Sequence, residues 1–372
     1  MPYIWESLGW PALHWDSGVL LPLIGEARGR LGEFLGRMKD IGFDARLQSE
    51  LEATAEEVVK TSAIEREVLN PASVRSSIAR RLGLEEGGVS LSDRKVDGVV
   101  DLILDATKNH ARPLTKGRIF AWHAALFPTG FSGMTKIDIG QWRSDRAGPM
   151  QVISGPYAHE PRVHFQAPPA DRLEGEMDHF IRWFNGSQST MEPLLRAGLA
   201  HLWFVTIHPM DDGNGRIARA IADLAVAQLE GTGQRFYSMS SQIERDKKTY
   251  YEVLEATQKG GLDVTIWMTW FVESYSHAIE NAAETADKVV SRAKFWHANA
   301  DFAFSERQRK VLLMLLDGFD GFVTSDKWAK ICNCSSDSAQ RDIANLAARG
   351  ILLKNPGGSR KTSYRFNWPP EP

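Results

Sequence analysis

Apolar residues recur three and four positions apart along most of this chain, which is the spacing of one face of an α-helix. The spacing predicts one group of helices before residue 90 and a second group between residues 94 and 285. The predicted helices of these two groups are 20–38, 44–60, 115–126, 173–184, 193–205 and 219–229. The sequence therefore predicts a mainly α fold.

One segment breaks the helical pattern. Residues 140–170 are rich in Gly, Pro and β-forming residues, and within them Val152-Ile153 and 163–165 flank a turn. Short apolar runs on either side of a turn favour a β-hairpin. We therefore expect one β-hairpin inserted into the helical core.

The last part of the chain has a different pattern, which starts near Phe304. It predicts three helices followed by a strand, a turn and a strand, which is the order of a winged helix-turn-helix. These elements are expected at 305–316, 325–331, 335–348, 351–354 and 362–366. The whole chain is thus predicted to hold three domains, namely an N-terminal helical domain over 1–90, a core over 94–285 and a winged helix over 300–372.

Composition narrows the class of protein and its compartment. The 372 residues are 43% hydrophobic and 24% charged, which is typical of a soluble globular protein. The net charge of -3 implies no general attraction to nucleic acid or membranes. No apolar run is long enough to span a bilayer, and the first residues lack the pattern of a signal peptide. The two cysteines, Cys332 and Cys334, are interpreted as reduced thiols, so we expect a cytoplasmic protein without a membrane partner.

Residues 208–219, which read HPMDDGNGRIAR, combine an imidazole, two acids, a Gly-Asn-Gly turn and two arginines. Glycines let backbone N–H groups approach an anion, and the N-terminus of a following helix adds positive potential. Arginines donate to phosphate oxygens, a carboxylate can hold a divalent cation, and an imidazole can accept a proton. These residue types favour a phosphoryl or nucleotidyl transfer site. The alternative is a polar loop that only leads into a helix.

This stretch resembles the Fic family signature, HxFx[DE]GNGRxxR, at every constrained position except one. Met210 stands where the family usually has Phe, and Met is a flexible apolar residue suited to packing beneath the loop. The resemblance implies a Fic helical core with a β-hairpin flap. It also implies a protein adenylyltransferase that uses ATP and Mg²⁺.

The resemblance gives a role to each matching residue. His208 would be the general base, and Asp212 would hold Mg²⁺. Asp211, at a variable position, is interpreted as a solvated surface charge. Asn214 would donate to the α-phosphate. The full set of residues expected to bind the phosphates is Gly213, Asn214, Gly215, Arg216 and Arg219.

An upstream segment resembles the inhibitory helix of the family, which has the pattern [ST]xxxE[GN]. Thr61 and Glu65 match it within residues 61–69, TSAIEREVL, and the N-terminal position is that of class II members. The resemblance implies that Glu65 pairs with Arg219 and keeps ATP from its productive pose. Arg66 stands where Gly or Asn is usual, which leaves the strength of inhibition open. The alternative is a surface glutamate on an amphipathic helix.

Two further segments are expected beside the nucleotide. The predicted hairpin resembles the flap of the family, which aligns a target peptide as an added strand. A later segment resembles the part that closes over adenine and ribose. The residues expected there are Val152, Ile153, Ser154 and Gly155 on the hairpin, and Tyr250, Tyr251 and Gln258 downstream. Tyrosines at helical spacing also fit a packed core, so both interpretations stand for the last three.

The predicted winged helix has two interpretations. Polar residues of its third helix and two basic residues of its wing suit DNA contact. They are Ser336, Ser338, Gln340, Arg341, Arg360 and Lys361. Asp337 and Asp342 weaken the basic surface that DNA requires. A structural or partner-binding role is the alternative.

Three functional hypotheses follow. The first is an auto-inhibited protein adenylyltransferase that transfers AMP from ATP to a Ser, Thr or Tyr hydroxyl of a target protein or of itself. The second is the reverse hydrolysis at the same site, with Glu65 positioning water to remove AMP. The third is a regulator in which nucleotide binding reports to a DNA-binding domain. Homodimerisation, which many family members show, and the identity of the target stay open.

Overall fold

The computed structural model describes residues 3–84, 93–154, 162–316, 318, 321–356 and 362–368. The chain divides into two compact units, of which one is Met1–Asp40 with Arg46–Ala282 and the other is Ile41–Ala45 with Ala283–Pro372. The predicted division of the first unit near residue 90 stays a prediction. Among the described residues we find no helix with the length and apolar character needed to cross a membrane.

Helices build most of the first unit. Those that precede the β-hairpin are α1 (Ser17–Asp40), α2 (Phe43–Ile64), α3 (Pro71–Arg81), α4 (Arg94–Lys108) and α5 (Lys116–Leu126). Those that follow it are α6 (Leu173–Gly186), α7 (Pro193–Ile207), α8 (Asn214–Glu230), α9 (Met239–Arg245), α10 (Lys247–Gln258) and α11 (Thr265–Ala298), the last of which continues into the second unit. Thr115 caps α5 as predicted, because its side chain accepts the N–H of Arg118.

The central helices of the first unit are α7 and α8. Every residue of α7 from Leu194 to Ile207 is buried, and so is nearly all of α8 as far as Ala227. A helix that is apolar on all sides belongs in a core. Gly98 on α4 permits a close approach to α5, since a Cβ there would lie 1.9 Å from the backbone oxygen of Ala125. Residues 208–213, the first half of the HPMDDGNGRIAR motif, therefore connect the two buried helices α7 and α8.

Two antiparallel hairpins lie between α5 and α6. Their strands are β1 (Phe131–Ser132), β2 (Thr135–Lys136), β3 (Gln151–Ser154) and β4 (Arg162–Gln166). The β3–β4 hairpin confirms the predicted one, and its register shifts between Val152 and Ile153. Phe165 of β4 packs against Trp5 of the N-terminal segment, which fixes the base of the hairpin. The sequence does not predict β1–β2, because two-residue strands are too short to show a pattern.

The second unit contains α12 (Glu306–Leu316), α13 (Ser325–Cys332), α14 (Ser336–Ala348), β5 (Leu352–Lys354) and β6 (Tyr364–Phe366). Its core is apolar and centres on the buried Trp328. The carboxylate of Asp342 is buried and pairs at 2.7 Å with Arg307, whose side chain is 44% exposed, so the expectation that its charge weakens a basic surface stays a prediction. Arg360 and Lys361 lie outside the described residues. The winged-helix and DNA-binding interpretations stay predictions.

Candidate active site

His208 stands at the point where α7 ends. Its backbone is left-handed, with φ 52° and ψ 56°, and its N–H still donates to the carbonyl of Phe204 at 3.0 Å. The imidazole Nδ1 lies 3.2 Å from the carbonyl oxygen of Val205. A carbonyl only accepts, so Nδ1 carries the proton and Nε2 keeps its lone pair. Burial lowers the pKa of His208 to about 4, which leaves a neutral imidazole suited to general-base catalysis.

The loop after His208 is held from within by Asn214. Its side-chain oxygen accepts the N–H of Met210 at 2.9 Å, and its side-chain nitrogen donates to the Met210 carbonyl at 2.8 Å. Both polar atoms of this amide thus hold the loop closed, and the second N–H of the nitrogen is not used in these bonds. Donation to a phosphate stays a prediction. Met210 is fully buried, as its predicted place beneath the loop requires.

Two glycines of the loop have little room for a side chain. Gly213 has φ 80°, and a Cβ there would lie 2.9 Å from the ring of Phe127. At Gly215 a Cβ would lie 2.1 Å from Oε1 of Glu65. Because α8 begins at Asn214, the Glu65 carboxylate lies at the N-terminal end of this helix, where an anion is stabilised.

Neither acid of the motif is simply solvated. The carboxylate of Asp212 accepts the hydroxyl of Ser132 on β1 and, at 2.6 Å, the N–H of Gly213. Asp211 is half-buried and accepts the N–H of Asp138 at 2.8 Å, so this predicted solvated charge also makes a structural contact. Its bond fixes the segment after β2 to the motif.

Both motif arginines are buried and paired with segment 61–67. Arg219 Nη2 lies 2.8 Å from Glu65 Oε1 and 2.9 Å from the carbonyl of Thr61, while its Nε donates to the Thr61 hydroxyl at 2.7 Å. Arg216 Nη1 lies 2.7 Å from Glu67 Oε2. Among the described residues, Nε of Arg216 and Nη1 of Arg219 are buried without a hydrogen-bond partner. These two donors suit an anion that brings several acceptor oxygens.

The end of α2 places these carboxylates. The helix ends at Ile64, so the predicted inhibitory helix over 61–69 is wrong in its bounds, and Glu65 follows the helix. The N–H of Glu67 donates to Ser62 and the N–H of Arg66 donates to Ala63, both at 3.0 Å. This is the Schellman pattern, which needs a left-handed residue, and Arg66 has φ 64°. The usual Gly or Asn at this position thus has a physical reason.

Comparison with known proteins agrees with this geometry. Residues 113–226 match the family model described as Fic/DOC family. The chain contains a Fic/DOC family domain. Residues 3–84 match a second model, described as a domain of unknown function, DUF4172.

Curated relatives carry a name that describes an activity. The chain is 27% identical over 103 residues to a protein adenylyltransferase Fic of Drosophila grimshawi and 28% identical over 103 residues to that of Drosophila melanogaster. In each case the match covers 25% of this chain and 21% of the relative. The chain thus spans about a fifth of the length of these relatives.

Solved structures share the fold. A Fic family protein from Desulfovibrio desulfuricans G20 superposes with a TM-score of 0.53 at 18% identity, over 93% of this chain and 96% of that one. A Fic domain containing signaling protein from Bacteroides thetaiotaomicron VPI-5482 gives 0.52 at 18% identity, over 71% and 97% respectively. Both likenesses concern the fold alone.

The flap of this Fic domain is exposed along β3. Val152, Ile153 and Ser154 are all open to solvent, whereas Gly155 lies outside the described residues. His164 on β4 bonds the Ser154 hydroxyl at 2.6 Å and the carboxylate of Glu255 on α10 at 2.6 Å. The flap is therefore anchored to α10, and among the described residues its strand β3 pairs only with β4.

Tyr250, Tyr251 and Gln258, which are expected beside adenine and ribose, differ in their exposure and contacts. Tyr250 is 2% exposed and its hydroxyl lies 3.1 Å from Nε2 of His201, and Gln258 is 4% exposed and donates to Thr206. For both, the structure favours the packed-core interpretation over nucleotide contact. Tyr251 is 41% exposed and its hydroxyl donates to the carbonyl of Ile64 at 3.4 Å, at the end of α2.

Several residues of the site stand in segments whose sequence does not indicate a role. Glu67 stands two positions after Glu65, and Ser132 lies in a segment without a pattern. Lys247 donates to the Ile64 carbonyl at 2.5 Å and so holds the last turn of α2 against α10. A lysine near a helix C-terminus could be found only if its distant helix were known. Arg143, which donates to the carbonyl of His208, is a fourth such residue.

Proposed function

We propose that this protein transfers AMP from ATP to a hydroxyl group of a target protein. One observation carries the proposal. The neutral imidazole of His208 lies at the start of the loop that leads to the N-terminus of α8. Beside this N-terminus are the buried guanidinium groups of Arg216 and Arg219, each with one nitrogen that has no hydrogen-bond partner among the described residues. A proton acceptor next to a site for a multiply charged anion suits nucleotidyl transfer. The names of the curated relatives support this reading.

The proposed reaction balances as follows. The oxygen of a Ser, Thr or Tyr side chain attacks the α-phosphorus of ATP, and its proton passes to Nε2 of His208. The bond between the α-phosphorus and the bridging oxygen breaks, and pyrophosphate leaves with that electron pair. The product is a phosphodiester that joins AMP to the protein. The protein contributes mainly by positioning and by charge neutralisation.

Two arginines and one aspartate would hold different parts of the bound nucleotide. Arg216 and Arg219 would bind its phosphates at the start of α8. The carboxylate of Asp212 would hold Mg²⁺, which neutralises phosphate charge when bound. Among the described residues there is no group of three or more potential metal-ligating side chains. One carboxylate together with phosphate oxygens is a usual Mg²⁺ ligand set, so Asp212 fits.

We propose further that Glu65 holds this site shut. Its carboxylate pairs with Arg219 and lies against Gly215, so it competes with a phosphate for the same donors. Thr61 strengthens the competition because it occupies two more donors of Arg219. ATP would have to displace these contacts before it could bind productively.

The test uses α-labelled ATP and Mg²⁺ with the whole chain. We expect Glu65→Gly to label itself or lysate proteins strongly, wild type to label weakly, and the double variant Glu65→Gly with His208→Ala to give no label. Glu33→Gly, at an exposed glutamate of α1, is the matched control and should behave as wild type. If Glu65→Gly labels no more than the double variant, the transferase proposal is wrong.

The placement of Glu65 also favours a second function, the hydrolytic removal of AMP. A carboxylate at the phosphate site can orient water toward a phosphodiester. The same assay separates the two functions when the labelled product is returned to wild-type protein. Loss of label with wild type, and its retention with Glu65→Gly, would identify the hydrolase.

A further inference from the structure

Arg143 lies between β2 and β3, and its side chain is 0% exposed. Its Nε donates to the carbonyl oxygen of His208 at 2.8 Å, and its backbone N–H donates to the carbonyl of Pro209 at 2.9 Å. Both bonds reach the first peptide units of the catalytic loop, residues 208–213, which connects α7 to α8. This arginine therefore contacts the loop at the residue that would accept the proton.

The same guanidinium also reaches both ends of the flap. Its Nη2 donates to the carbonyl of Pro168, just after β4, at 2.6 Å, and its Nη1 pairs with Asp145, just before β3, at 2.8 Å. The other oxygen of Asp145 accepts the N–H of Ala170 at 2.6 Å. Arg143 and Asp145 thus tie the two chain segments that support the flap to each other and to His208.

A buried cation is costly unless its partners are well placed, so its position is set by all of these partners together. His208 also has a backbone conformation that L-residues avoid. The bond from Arg143 favours the backbone conformer in which the His208 carbonyl turns toward the guanidinium, and this backbone together with the Nδ1 bond to Val205 places the ring. Loss of this bond would let the peptide relax and the ring move.

We infer that Arg143 is a positioning residue that holds His208 and the flap in a fixed position relative to each other. The inference rests on the proposed function, in which the flap aligns the target chain and Nε2 of His208 takes its proton. The arginine would set the distance between the two partners of the reaction. It would leave the phosphate site unchanged, because it contacts neither Arg216 nor Arg219.

The experiment compares Arg143→Gln and Arg143→Lys in the Glu65→Gly background. We expect Arg143→Gln to lower kcat for self-labelling by ~10²-fold, the effect of a small misplacement of reacting groups, while KM for ATP and Kd for ADP stay within twofold. Arg143→Lys keeps the charge and should recover part of kcat. Arg118→Gln is the matched control, since Arg118 also pairs with an aspartate and bonds carbonyl groups but does not touch the loop.

A second readout does not depend on activity. In protein with ¹⁵N-labelled histidine, the His208 ring should show the Nδ1–H tautomer, and Arg143→Gln should shift its signals while those of His201 stay in place. An unchanged His208 ring, or an equal loss of ADP affinity and kcat, would overturn the positioning role. If Glu65→Gly itself transfers no AMP, the proposed function fails and the ring signals alone decide this inference.

Discussion

Replacing Glu67 with Gln should raise the affinity of the protein for ADP. Glu67 pairs with Arg216, whose side chain is 6% exposed and lies over the ring of Phe127, 5.1 Å from its centroid. Two of the donors that would bind phosphate are therefore engaged by different carboxylates, Glu65 on Arg219 and Glu67 on Arg216. Glutamine keeps the size of the side chain at 67 and removes its charge.

The magnitude follows from the environment of the pair. A hydrogen bond to a charged group contributes about 1.5–3 kcal/mol, and the lower end applies here because Glu67 is 28% exposed and water screens it. Since about 1.4 kcal/mol corresponds to a tenfold change in an equilibrium constant, we expect Kd for ADP to fall about tenfold. Lys95 also pairs with Glu67, 3.8 Å from its Oε1, but Lys95 is 63% exposed, so this second pair contributes little to the change in affinity.

Calorimetric titration of ADP in the presence of Mg²⁺ measures the change, in wild type, Glu67→Gln, Arg216→Gln and the double variant. In the Arg216→Gln background the substitution of Glu67 should have almost no effect, because its partner is gone. An equal gain in affinity in both backgrounds would refute the reasoning. So would a wild-type Kd for Glu67→Gln, since Arg216 would then be available despite the ion pair.

Four further outcomes are expected. Arg66→Gly should raise the free energy of unfolding of the first unit by about 0.5–1 kcal/mol in chemical denaturation, because relief of left-handed strain exceeds the entropy cost of glycine. Lys247→Met should raise basal labelling with ATP, because the end of α2 loses its cation, and labelling equal to wild type would contradict this. Burial lowers the pKa of His201 to about 3, with a smaller effect of Arg219, and burial lowers the pKa of His208 to about 4. As the pH falls, the histidines of the unfolded chain therefore take up protons before those of the folded chain. Stability should therefore be full above about pH 6.5, the ordinary histidine pKa, and decline toward pH 4, and denaturant titrations across that range check this. If the second unit binds duplex DNA, as the predicted winged helix suggests, fluorescence anisotropy should show affinity that falls steeply with salt.

The sequence predicts the frame of the site well, because that frame follows from local pattern. The apolar run that forms α7 and the Ala-, Ile- and Leu-rich run that forms α8 are recognisable as buried helices, so the loop between them has a known place. The hairpin is equally visible from its flanking β-forming residues. Its bulge is not, since a register shift depends on both strands together.

The contacts within the site could not be predicted, because residue type does not name a partner. Asn214 has donors that suit a phosphate, and nothing in its residue type shows that its amide also closes the loop through two bonds to Met210. Glu67 faces Arg216 only because Arg66 turns the chain, and that turn is made without the usual glycine. Arg143 stands in a segment without periodicity, and its role emerges only when three distant stretches meet.

The Schellman turn at the end of α2 would link the proposed inhibition to local unfolding. If Glu65 blocks the site, the blocking group is carried by the last turn of a helix, and helix ends open more readily than the core. The active fraction then equals the fraction of molecules in which this turn is frayed, and each ~1.4 kcal/mol of opening free energy changes that fraction tenfold. Arginine at 66 would then allow this turn to open more often than glycine would. A rise in temperature, or a ligand that binds the frayed segment, would then increase the active fraction without any contact to the catalytic loop.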